Sequence, residues 1–124
     1  MSIFDNLMGN ASELSLNKIH AEFTPIMVEG EELKKAFKII RDFFVFTNKR
    51  LILVNKQGIT GKKREYLTIP YGSIIKFSKE SAGLLDFDAD LKIWIRGQSE
   101  PITKEFKDDG NINEVYRLLS QFTL

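Results

Sequence analysis

The chain contains no cysteine, which removes disulfide frameworks, thiolate zinc sites and cysteine nucleophiles together. A reducing compartment tolerates such a protein, so a cytoplasmic location is the expectation. Histidine is almost as scarce: His20 is the single example, it sits in no motif, and no glycine-flanked nucleophilic serine occurs. The parts of a hydrolytic triad are therefore missing. Charge of one sign is also lacking, since Lys+Arg 18 against Asp+Glu 17 leave a net charge of +1. No global field draws the chain to nucleic acid or to an anionic membrane, and nucleic acid is not an expected partner. Long hydrophobic runs are absent too. Asp5 and Asn6 interrupt the first apolar residues, and no later run approaches the length that spans a bilayer, so a soluble chain without a secretory leader is expected.

Two segments imitate ligand loops and fail. Asp86-Phe87-Asp88-Ala89-Asp90 opens like a calcium loop, but Leu91 stands where glycine is needed and Gly97 where a bidentate glutamate is needed. Gly58 to Lys62 has too few residues between its glycines for a phosphate loop, and Lys63 replaces the hydroxyl residue. No metal, no cofactor and no catalytic centre are expected, and the chain reads as a non-enzyme.

What is present is a core. With 124 residues and 43% hydrophobic content the chain fits one domain without staples. Two apolar runs, Phe43-Phe44-Val45-Phe46 and Leu51-Ile52-Leu53-Val54, flank Thr47-Asn48-Lys49-Arg50 and read as a β-hairpin. A strand with one wet face alternates apolar and polar residues, whereas these are apolar on both faces, so both sides must be covered. The second cover is either the chain's own helical segments or another molecule. If it is another molecule, all eight of these apolar residues are candidates for an oligomer interface.

Seven strands are predicted at residues 33–41, 43–47, 50–55, 64–69, 73–79, 91–96 and 101–106, separated by short polar turns. In the sixth, Leu91, Ile93 and Ile95 face one way and Lys92, Trp94 and Arg96 the other, which places Trp94 on an outer face among cations. After Gly110 the period changes: Asn111 as N-cap, Glu114 three residues on, and Ile112, Val115, Leu118, Leu119 and Phe122 at helical spacing predict an amphipathic C-terminal helix. At the other end, short helices are predicted over 2–8 and from Ala11 toward Ile19, the latter being the best internal cover for an outer sheet face. Thr24-Pro25 ends whatever helix precedes it. The fold class is thus mainly β, a seven-stranded antiparallel sandwich or open barrel plugged by a C-terminal helix. Lys56, Lys62, Lys63 and Arg64 around Gly58 to Gly61 form the one basic cluster, which reads as a solvated hairpin loop.

Gly30-Glu31, Ala36-Phe37, Arg41-Asp42, Phe46 to Ile52, Lys56 to Lys63, Ile69-Pro70-Tyr71, Phe77-Ser78, Asp88 to Trp94 and Lys104-Glu105-Phe106, in this order and spacing, resemble the bacterial pleckstrin-homology-like family. The resemblance covers about Ile26 to Phe122, which divides the chain into an N-terminal extension, 1–25, and a PH-like domain, 26–124. It implies a non-catalytic module that forms cyclic homo-oligomers, five-fold rings, with a polar surface where neighbouring strands meet. Eukaryotic PH domains hold phosphoinositides with a long basic loop between their first two strands, but here that connection is only about Asp42. The expected function is a scaffold that assembles with itself and recruits an unidentified protein. The alternative is a membrane reader in which Lys49, Arg50, Lys62, Lys63 and Arg64 meet anionic headgroups. Trp94 joins those five as a candidate partner surface.

Overall fold

The computed structural model describes residues 12–13, 15–39, 42–57, 63–81, 88–106 and 111–124. Its strands follow the apolar pattern: β1 (Ser12–Glu13), β2 (Leu33–Ile39), β3 (Asp42–Thr47), β4 (Arg50–Gln57), β5 (Lys63–Pro70), β6 (Ile74–Ser81), β7 (Ala89–Ile95) and β8 (Ile102–Phe106). β1 to β5 form one antiparallel sheet in chain order and β6 to β8 a second. All seven expected strands are present. β1 is an addition, a two-residue pairing with Phe37 and Lys38 that carries no alternation from which to predict it.

The doubly apolar hairpin is β3–β4. Phe44 opposite Leu53 and Phe46 opposite Leu51 face the main core, while Phe43 opposite Val54 and Val45 opposite Ile52 face the other side. The main core closes against Leu91, Ile93 and Phe106 of the second sheet and against Val115, Leu118 and Leu119 of helix α2 (Ile112–Thr123). Aromatic contacts fix that helix: Phe122 lies 4.8 Å from Tyr71 in a stacked pair, and Tyr116 meets Phe77 edge-on at 5.2 Å. Asn111 stands at the N-cap position without a side-chain cap bond. The helix is held by its buried face rather than by the expected capping box.

Helix α1 (Leu16–Phe23) supplies the second cover. Leu16, Ile19 and Phe23 recur at helical spacing and pack on Ala36, Phe43, Val45, Ile52 and Val54. The helix therefore starts later and runs further than the predicted stretch from Ala11 to Ile19, because its apolar stripe extends to Phe23. As expected, it stops before Pro25, which enters a 3-10 turn at Thr24–Ile26. The predicted helix over 2–8 lies outside the described residues.

Among the described residues no helix is long and apolar enough to cross a membrane.

At the corner where the sheets meet, the Lys104 ammonium donates to Asp42 Oδ2 at 2.8 Å and to Asn55 Oδ1 at 2.7 Å. This half-buried contact ties β8 to β3 and β4.

Candidate functional site

The Thr47-Asn48-Lys49-Arg50 tip is built around a carboxylate that sequence reasoning did not single out. Gly30 takes a positive φ of 81°, which a glycine adopts without strain, and the following Glu31 turns inward. Arg50 donates to Glu31 through Nε at 2.8 Å and Nη2 at 2.9 Å, Thr47 Oγ1 donates at 2.7 Å and the Val28 amide at 3.0 Å. The Arg50 guanidinium is then completed by the Ile26 carbonyl at 2.6 Å and Thr68 Oγ1 at 2.9 Å. Asn48 adds two bonds to the same loop, accepting from the Glu32 amide and donating to the Gly30 carbonyl. Arg50's hydrogen bonds, outweighing the burial that opposes them, and those of Thr47 and Val28 hold the Glu31 carboxyl at a pKa of about 2. Tyr71 joins by donating to the Thr47 carbonyl at 2.6 Å, and burial pushes its phenol well above the ordinary range.

Arg50, expected among the headgroup-facing cations, is placed against Glu31. Its guanidinium is committed to a buried carboxylate and two further oxygens of the protein's own, the Ile26 carbonyl and Thr68 Oγ1, so it ties residues 26–32 to the hairpin. The basic residues are also not one patch. Lys49 is exposed at the β3–β4 tip, while Lys63 pairs with Gln57 and Arg64 with Lys56 at the far end of β4. Seven residues of extended chain, about 23 Å, separate the two groups. Lys63 is exposed and Arg64 half-buried; Lys62 lies outside the described residues. A fourth cation, Lys38, is buried on the outer side of β2, and burial together with the nearby Lys56 lowers its ammonium pKa.

The eight apolar interface candidates are also placed differently. Phe43, Phe44, Val45, Phe46, Leu51, Ile52, Leu53 and Val54 are each at most 1% exposed within a single chain. They present no surface to a second molecule: Phe44, Phe46, Leu51 and Leu53 lie in the main core, and α1 takes the position over Phe43, Val45, Ile52 and Val54 that a neighbour would otherwise have filled.

The surface left open is at the margins and outer face of the sheets. Among the described residues, β1 and β5 of the first sheet and β6 and β8 of the second each have one side without a neighbouring strand. On the second sheet, Trp94 stands on the outer face as expected, half-buried, with the Lys76 ammonium 4.8 Å from its ring centre. Cross-strand register arranges that face in rows: Lys76 beside Trp94, then Ser78 beside Lys92 and Thr103, then Glu80 beside Asp90 and Glu105. Of these residues, the strand alternation had placed only Lys92 and Trp94 on an outer face. The same alternation along β6, β7 and β8 carried the others, but pairing them needs the register. The acidic row opens into a cleft of about 410 Å³ also lined by Ser81, Asp88 and Ala89.

No group of three or more potential ligand residues able to hold a metal ion occurs among the described residues. The phosphate-like segment Gly58 to Lys62 and, of the calcium-like segment, Asp86 and Phe87 lie outside them. His20 meets Thr24 Oγ1 at 3.2 Å on an exposed helix turn.

Comparison with known proteins agrees with this architecture. A family model described as bacterial PH domain matches residues 2–123. The chain is 51% identical over 121 residues to YjqA of Bacillus subtilis (strain 168), a protein whose name marks it as uncharacterized, and the match covers 97% of each. Among solved structures, a pleckstrin homology domain from Shewanella amazonensis SB2B superposes with a TM-score of 0.83 at 51% identity, covering 97% of each chain. A protein with a pleckstrin-homology domain from Shewanella loihica PV-4 gives 0.82 at 47% identity, covering 94% of this chain and all of that one.

Proposed function

Because the chain belongs to the bacterial PH domain family, we propose that it is a non-catalytic interaction module that joins copies of itself into a closed ring and offers a polar surface to another protein. The observation that carries this reading is that, among the described residues, both sheets keep open margins, and that those of β5, eight residues on one sheet, and β8, five on the other, are unlike. Unpaired strand margins are association-prone. Joining one kind to the other is a head-to-tail contact, and such contacts close into rings when the rotation allows. The buried hairpin plays no part in this assembly. A lipid-reading role draws less support, since Arg50 is committed to Glu31 and the remaining cations are divided between opposite ends of β4.

Light scattering on the purified protein tests the proposal. A single species of several subunits, constant in mass across micromolar concentrations, is expected; a monomer would overturn the ring. Sedimentation with phosphatidylserine vesicles tests the competing role near physiological ionic strength, where the Debye length is about 8 Å. Negligible binding is expected, and strong binding lost in raised salt would reverse the preference.

A further inference from the structure

The outer face of the second sheet carries its two signs of charge in separate rows, and we propose that it is a docking surface for a second copy of this chain, laid across it antiparallel. The inference deepens the self-assembly reading and rests on it only for the size of the units that pair.

The pattern has a centre. On β6, Lys76 and Glu80 lie two residues either side of Ser78; on β7, Trp94 and Asp90 lie two residues either side of Lys92, and Ser78 faces Lys92 across the strands. The cationic and acidic rows are thus about 13 Å apart along the strands. A two-fold axis lying between two such faces and running across the strands reverses each strand over its own copy. Lys76 then meets Glu80 of the second copy, and Glu80 meets Lys76 of the second copy. Trp94 comes over Asp90 of the second copy, where its indole N–H can donate to the carboxylate. Sheets packed face to face stand about 10 Å apart, within reach of these side chains.

The other two-fold placement, with its axis along the strands, would set the acidic row on an acidic row. Like charges meeting in this way disfavour it. Lys92, which falls on the axis, leans toward its own Glu80 at 3.5 Å and so away from its counterpart. Within one chain, the side-by-side carboxylates of Glu80, Asp90 and Glu105 are mutually unfavourable. A second copy's lysine at the end of that row offsets the repulsion.

Charge reversal provides the test, read by light scattering with circular dichroism as a check on folding. Lys76→Glu and Glu80→Lys each place like charges at both symmetry-related contacts, so each variant alone should run at half the wild-type mass. Mixed in equal amounts they restore opposite charges at both contacts, and the wild-type mass should return. Emission from Trp94, the only tryptophan, should lie further to the blue in the wild type and the mixture than in either variant. Variants that keep the wild-type mass, or a mixture that stays at half, would overturn the proposal. The ring is judged separately: if it fails and the docking holds, wild type is a dimer and each variant a monomer. If the ring holds and the docking fails, all samples share one multi-subunit mass.

Discussion

At the residue scale, Glu31 couples folding to protons. Its carboxyl is held at about 2 against an ordinary value of 4.5, so the folded state binds that proton less readily than the unfolded chain does. The resulting stability is fully present above about pH 4.5 and is lost as the pH falls toward 2, an effect on the order of 3 kcal/mol. Glu31→Gln should remove this acid-sensitive component from urea unfolding curves taken between pH 5 and 2. At neutral pH the same variant should cost about 2–4 kcal/mol, because Arg50 is left largely buried without its counter-charge. A second change, Arg50→Met, should recover part of that loss; an additive double mutant would contradict the pairing. The sequence supplied the hairpin tip but not its anchor. Glu31 and Arg50 are nineteen positions apart, and nothing local says that a loop acid turns inward to meet an arginine. The only trace was that both segments belonged to the same family resemblance.

At the scale of elements, legibility followed period. β2, β5 to β8 and α2 were readable because their apolar residues recur at two or at three to four, and β3 and β4 because unbroken apolar runs flank a polar tetrad; misplaced boundaries amount to a residue or two. Helix α1 was half-read, since Leu16, Ile19 and Phe23 are too few to fix its limits, and the rows of the outer sheet face depended on a register that no single strand encodes. The decisive element is α1, for it replaces the neighbouring molecule that the two-faced hairpin otherwise required. Phe23 is fully buried and packs edge-on against Tyr66 at 6.1 Å. Phe23→Ala should therefore cost about 3–5 kcal/mol in denaturant unfolding, comparable to a truncation in the main core. A loss below about 1 kcal/mol, the range of ordinary surface substitutions, would mean that α1 is not part of the core.

For the whole molecule, chain order has a kinetic consequence. From β2 onward, every strand pairs with its immediate successor within its sheet, so each register is set by a hairpin, an event of about 1–10 μs. The corner joining Lys104 to Asp42 and Asn55 spans 62 and 49 positions, and from that separation we expect it to close after both sheets have formed. Contacts made that late are absent from the transition state and act on unfolding alone. Lys104→Ala should leave the refolding arm of a chevron plot nearly unmoved and raise the unfolding arm; slower refolding instead would mean that the corner belongs to the nucleus. The corner thus works as a latch: it sets how long the native state lasts once formed, not how fast it is found.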